Sequence, residues 1–216
     1  MIHKTGICFL AIFLLLTGII QAQELKENPE LDARVKKFLK EHEGTWYDMN
    51  VPKSDGELLY DLIIKGKYKN ALEIGTSTGY SGIYMAWALS KTGGKLITIE
   101  INESRHKEAL QNFKEAGLLE YIDARLADAH KLVKELEGPF DFVFSDADKY
   151  WYKNYFMDTD PKLKVGGCYT THNISEGRGG DSYSGEYLEY VRSLPYYKSH
   201  IHPGSSMLIS YKTAAK

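Results

Sequence analysis

The stretch ALEIGTSTGYS, Ala71 to Ser81, sets the reading of the whole chain. Its first part continues from Asn70 as a short apolar run, NALEI, with the length and composition of a buried strand. Gly75 and Gly79 then bracket three small polar residues, so the turn offers bare backbone that a ligand can approach closely. The run YSGIYMAWAL behind it is helical in pattern, and Gly93-Gly94 breaks it. Strand, glycine turn and helix in that order form the first unit of a nucleotide-binding type of α/β sheet.

Working outward, Leu31, Val35, Phe38 and Leu39 keep the i, i+4, i+7, i+8 spacing of a helix over 31–43, with Gly44 as its stop. A second helix is expected from Glu57 to about Ile64, after the loop TWYDMNVPKSDG. Beyond the glycine turn, KLITIEI reads as a strand and Ser104 to Ala116 as a helix, with Glu103 near its positive end. Ile122 to Leu126 is the next strand, HKLVKEL a helix, and FDFVFS, Phe140 to Ser145, a strongly apolar strand. A helical stretch from roughly Trp151 to Leu163 leads through Val165-Gly166-Gly167 to the strand CYTTH. The tail changes rhythm: GEYLEYVRSL is a helix, and YYKSHIHP with SMLISYK makes a closing hairpin. Strands alternating with helices at this spacing predict an α/β fold, a parallel sheet with right-handed crossovers and helices on both faces. No repeat or long linker divides the chain, so residues 23–216 read as a single domain, with SEGRGGDSYSG as a mobile surface loop.

The first residues belong to a different pattern. Met1 to Lys4 carries one positive side chain, Gly6 to Ile20 is almost wholly apolar, and Ala22 offers a small residue at a cut, so residues 1–22 read as a signal peptide. The mature protein is then exported, periplasmic or secreted. The apolar run is about 15 residues, short of the roughly 20 that span a bilayer, yet an uncleaved membrane anchor stays open. Cys8 leaves with that segment and Cys168 stands alone, so no internal disulfide contributes. Of the 216 residues 43% are apolar and 26% charged, the net charge is −2, and there is no long run of one sign. Nothing in that balance points to a nucleic-acid partner, because neutralising phosphates needs a basic face. The oligomeric state is not written in the sequence, and a homodimer stays open.

Ligands of an open parallel sheet sit beyond the carboxyl ends of its strands. Glu100 ends the second strand, about 20 residues past the turn, where a carboxylate can take both hydroxyls of a ribose. Ser81 is placed to cap the helix or touch the ligand, and Glu73 lies inside the strand itself. The glycine spacing is G-x-x-x-G rather than the dinucleotide pattern G-x-G-x-x-G. That favours a ligand without a pyrophosphate, such as S-adenosylmethionine, over NAD. At the end of FDFVFS, the group Asp146, Asp148 and Lys149 belongs at the mouth of the sheet. A carboxylate there can hold a divalent cation that polarises a substrate hydroxyl, and Lys149 can serve as base. A solvated loop with an internal ion pair is the plain alternative. His172-Asn173, after the next strand, would converge on the same mouth with one nitrogen and one oxygen donor.

MNVPKSDG (Met49 to Gly56), ALEIGTSTGYS, ITIEIN, ADAH (Ala127 to His130), FDFVFSDADKYWY, VGGCYTTHN and YLEYVR together resemble the cation-dependent O-methyltransferases of the catechol and caffeoyl-CoA type. The resemblance runs from about Trp46 to the C-terminus. It implies a Rossmann-like sheet of seven strands with an antiparallel C-terminal hairpin, and S-adenosylmethionine as cofactor. By the same resemblance Met49 and Val51 flank the methionine part of the cofactor, and Gly75 and Ser81 its amino-acid end. Glu100 binds the ribose, and Asp128, Ala129 and His130 edge the adenine. Asp146 and Asn173 become ligands of a divalent metal, and Lys149 becomes the base that deprotonates a small phenolic substrate. The chain departs from the family at one of these positions, since the family has aspartate where His172 stands. Imidazole suits zinc, iron, nickel or copper better than magnesium or calcium. A softer metal, weak metal binding, or loss of the metal with His172 acting on the substrate are the readings left open. A non-catalytic ligand-binding protein on the same fold is the alternative function.

Overall fold

The structure, a computed structural model, describes residues 24–176 and 183–216. The expected signal segment and most of the glycine-rich loop therefore lie outside the described residues. The centre of the sheet is β1 (Asn70–Ile74) and β4 (Phe140–Ser145), paired in parallel with Ala71 opposite Phe142 and Ile74 opposite Ser145. Both strands are apolar almost throughout because helices cover the sheet on its two faces. On the other side of β1 lie β2 (Lys95–Glu100) and then β3 (Ile122–Leu126). Beyond β4 come β5 (Leu163–Thr171), β7 (Leu208–Lys212) and β6 (Tyr197–Ile201). The order is β3-β2-β1-β4-β5-β7-β6, with β7 antiparallel to both its neighbours. This is the expected seven-stranded, mostly parallel sheet with its closing hairpin.

One face carries α1 (Pro29–Glu41), α2 (Lys53–Gly66), α3 (Tyr80–Thr92) and α4 (Glu103–Ala116). Nearly every residue of α3 is buried, since α1, α2, α4 and the sheet enclose it, and this explains its lack of a polar face. The other face carries α5 (Ala129–Glu135), α6 (Tyr152–Thr159) and α7 (Tyr183–Ser193). Phe156, Tyr169, Tyr187 and Tyr197 pack there in one aromatic core with ring centroids 4.9–6.0 Å apart. Many of the chain's 16 tyrosines are spent on such packing. The hairpin is tied to this core by Asp160, whose carboxylate pairs with Lys212 at 2.9 Å and accepts from the hydroxyls of Tyr196 and Tyr197.

Three element boundaries differ from the expectation. α2 begins at Lys53, four residues early, because Pro52 supplies an extended residue before it and Gly56 lets the first turn lie flat against the Tyr84 ring. β5 begins at Leu163 instead of Cys168, since backbone pairing with Phe140 extends the strand through its glycines. The helical stretch after Asp148 is three pieces, with single 3₁₀ turns at Lys149–Trp151 and Asp160–Lys162 around α6.

Candidate active site

From β1 the chain crosses outward to β2 and β3, then returns to β4 on the other side. This leaves a crevice beyond the carboxyl ends of β1 and β4. The glycine turn closes over it. Gly75 takes φ 101°, and a Cβ there would lie 2.6 Å from the backbone oxygen of Asp146, so β1 and β4 meet only because this residue has no side chain. Ser77 takes φ 49°, an uncommon backbone for a residue with a Cβ. That turn aims its amide at Glu100 Oε2, 2.8 Å away, while Glu100 Oε1 accepts from the Asn102 amide at 2.8 Å. Met49 and Asn173 also sit at positive φ, 53° and 59°, so three such residues ring the crevice.

A cavity of about 380 Å³ opens there, within the size range of small-molecule sites. It brings together Met49, Gly75, Glu100, Asp128, Ala129, His130 and Asp146, seven of the residues singled out from sequence. Asp128 accepts from the His130 amide at 3.0 Å and starts α5. The His130 ring stacks on Trp151 at 4.3 Å and reaches Asp148 at 3.3 Å. Arg105 holds Asp48 by two bonds of 2.7 and 2.9 Å, which pins the Met49 loop to the rim. Ser77, Arg105, Asp148 and Tyr155 also line the cavity, and only the glycine turn and the DADK group hinted at any of them.

Three expected residues stand elsewhere. Val51 is buried beside α2 and lines a separate aromatic groove of about 900 Å³ with Trp46, Tyr80 and Trp87. Glu73 is fully buried beneath the turn, where the hydroxyls of Ser81 and Thr98 lie 2.5 and 2.6 Å from its two oxygens. Ser81 is thereby turned inward to Glu73. Burial pushes the Glu73 carboxyl up to about 8 against the pull of those two hydroxyls, and the nearby Asp146 and Glu100 push the same way. Glu73 acts from inside the protein, holding the turn to β2.

Asp146, Lys149, His172 and Asn173 meet at the end of the cavity. The Asp146 amide donates to the Ile74 carbonyl at 2.9 Å, which carries β1–β4 pairing one residue past the strands. Its Oδ1 lies 3.3 Å from Lys149 Nζ and 3.3 Å from the Tyr152 hydroxyl. Lys149 Nζ also donates to Asn173 Oδ1. His172 spans two carboxylates, with Nδ1 3.1 Å from Asp146 Oδ2 and Nε2 3.0 Å from Asp55 Oδ2. Burial disfavours a charged ring here, but Asp146 and Asp55 outweigh it and hold His172 above the ordinary histidine value. Asp55 was not anticipated. Its only signal was its place in MNVPKSDG, and it is buried at the first turn of α2.

A family model described as O-methyltransferase matches residues 22–178. The chain belongs to the O-methyltransferase family. Over 185 residues this O-methyltransferase is 31% identical to caffeoyl-CoA O-methyltransferase 1 of Eucalyptus globulus, covering 82% of this chain and 74% of that one. It is 41% identical to catechol O-methyltransferase of Niastella koreensis over 113 residues, half of this chain and 51% of that one. Among solved structures, the Bacillus cereus O-methyltransferase in complex with SAH superposes with a TM-score of 0.67 at 22% identity, covering 86% and 91% of the two chains. The Streptomyces achromogenes O-methyltransferase TomG, in complex with SAM, gives 0.67 at 23% identity over 88% and 92%. These likenesses confirm the Rossmann-like sheet of the O-methyltransferase.

Proposed function

We propose that this O-methyltransferase uses S-adenosylmethionine to methylate the hydroxyl of a small phenolic or catechol-like acceptor, with Lys149 receiving the proton. The carrying observation is the cavity itself, one continuous wall from the Glu100 carboxylate to Asp146, with Lys149 just beyond. It fits the cofactor by its chemistry. Glu100 offers two acceptor oxygens fixed by backbone amides, suited to a ribose diol. Gly75 leaves the backbone bare where the ligand passes. The names of the catechol and caffeoyl-CoA relatives support a phenolic acceptor.

The cofactor supplies a methyl group already activated on sulfonium, so the chain's residues contribute position and proton transfer. Asp146 and Asn173 aim Lys149 Nζ from two sides. Lys149, entering the step as the neutral amine, takes the phenolic proton and becomes the ammonium as the oxygen gains the methyl, leaving a methyl ether and the thioether of the spent cofactor. A divalent cation bound by Asp146, His172 and Asn173 is the route the family resemblance suggests for polarising the hydroxyl. The side chains present do not fit a hard cation, because the ring of His172 replaces an oxygen donor and Lys149 covers the Asn173 oxygen. We assign no step to it. Export of the mature chain is supported by the pattern of residues 1–22. Thermal melts with S-adenosylmethionine, S-adenosylhomocysteine and NAD test the cofactor reading. Stabilisation by the first two is expected, and stabilisation by NAD alone would overturn it.

A further inference from the structure

Every oxygen of the Asp146–Asn173 pair is taken by a donor of this chain. Lys149 Nζ and the Tyr152 hydroxyl lie at Asp146 Oδ1, His172 Nδ1 at Asp146 Oδ2, and Lys149 Nζ again at Asn173 Oδ1. The ring of His172 is not free to turn away, because its Nε2 meets Asp55 at 3.0 Å, and the Asp55 side chain is only 3% exposed. Rotating His172 outward would leave that buried carboxylate without its partner, a costly arrangement. We propose that His172, clamped by Asp55, and Lys149 stand where a divalent cation would sit, so that this O-methyltransferase works without a bound metal.

A carboxylate behind a histidine is also the arrangement that orients metal ligands. Two features separate the cases. His172 Nδ1 points at Asp146 Oδ2, while the oxygen that would complete a ligand set, on Asn173, is covered by Lys149. A metal would have to displace Lys149 Nζ from both of its acceptors. The donor set would then bring one carboxylate to a doubly charged ion, where oxygen-rich, better neutralised sites are the rule for hard cations. Asp55 is thus a positioning residue acting through His172, and His172 is a positioning residue for Asp146 and Lys149.

The inference rests on the methyl-transfer reading for its catalytic consequence, but binding decides it without turnover. The purified full chain is titrated with Mn²⁺ followed by electron paramagnetic resonance, and with Co²⁺ followed by visible absorption. Wild type should bind neither stoichiometrically. H172D restores an oxygen donor beside Asp146 and Asp55, and it should gain one Mn²⁺ site per chain. H172N supplies an uncharged amide oxygen and should bind Mn²⁺ at least about tenfold more weakly than H172D, with circular dichroism showing that both variants fold. With an active acceptor in hand, EDTA should change wild-type turnover by less than about twofold, and H172D turnover by about tenfold or more. One tight Mn²⁺ or Co²⁺ per wild-type chain, lost in H172N, would overturn the proposal. So would an H172D protein that folds and binds no metal. Absence of turnover on any acceptor would instead count against the methyl-transfer reading and leave the titration to judge the metal.

Discussion

Glu73 gives the sharpest quantitative prediction. Its carboxyl is completely buried under the glycine turn and is pushed from an ordinary 4.5 up to about 8. Unfolding releases it to water, where it ionises near 4.5. A group whose folded value is raised contributes its full stability below the unfolded value and loses it as pH climbs through the folded one. Between pH 4.5 and 8 the unfolded chain has given up this proton and the native chain still holds it, so stability falls across that window and levels off above it. At about 1.4 kcal/mol per pH unit, the loss amounts to about 5 kcal/mol by pH 8. Glu73→Gln keeps one acceptor and one donor for Ser81 and Thr98, as the protonated acid does, and cannot ionise. The variant should match wild type near pH 5 and exceed it by a margin that grows toward about 5 kcal/mol at pH 8. Urea denaturation of both proteins at half-unit steps of pH measures the margin. Parallel stability curves for the two proteins would refute a neutral, buried Glu73.

Other perturbations have equally definite outcomes. Lys149→Ala should cut turnover by about 10²- to 10⁴-fold, the usual worth of a positioned acid or base. Affinity for S-adenosylhomocysteine by calorimetry should stay within about threefold of wild type, and a collapse of cofactor binding would move Lys149 out of its assigned role. Gly75→Ala forces a side chain at φ 101° to within 2.6 Å of the Asp146 carbonyl. It should cost about 1–3 kcal/mol in denaturant melts and weaken cofactor binding together with stability. Asp160→Ala leaves the Lys212 ammonium buried and frees the hydroxyls of Tyr196 and Tyr197. It should destabilise by about 3–5 kcal/mol, read by the same melts. Cys168 is fully buried and burial pushes its thiol well above the ordinary range, so Ellman's reagent should not react with it until the protein unfolds.

What the sequence disclosed was local. Strand, glycine turn and helix lie consecutively in ALEIGTSTGYS, and Glu100 and Asp146 each end an apolar strand, so their meeting at the crevice follows from parallel pairing. The closing hairpin was legible from its two β-rich runs. The inward turn of Ser81 and Glu73 was not, because strand-interior position alone does not say that a glutamate faces hydroxyls of β2 and α3. Val51 follows Met49 by two residues, yet the positive φ at Met49 and the start of α2 send it to a different groove. The Asp55–His172 contact joins residues 117 apart in the chain, and no periodicity or spacing encodes such a pair. His172 stood out as the family's departure, and only the fold shows what accompanies it.

The central claim is methyl transfer to a phenolic oxygen, and isotope transfer tests it most directly. The full chain is incubated with S-adenosylmethionine carrying a ¹³C methyl and a panel of catechols and hydroxycinnamic acids, and products are identified by mass spectrometry and NMR. The account predicts the labelled carbon as an aryl methyl ether on at least one acceptor, with the yield collapsing in Lys149→Ala. A chain that binds the cofactor yet leaves every hydroxyl unlabelled, or methylates as well without Lys149, would contradict it.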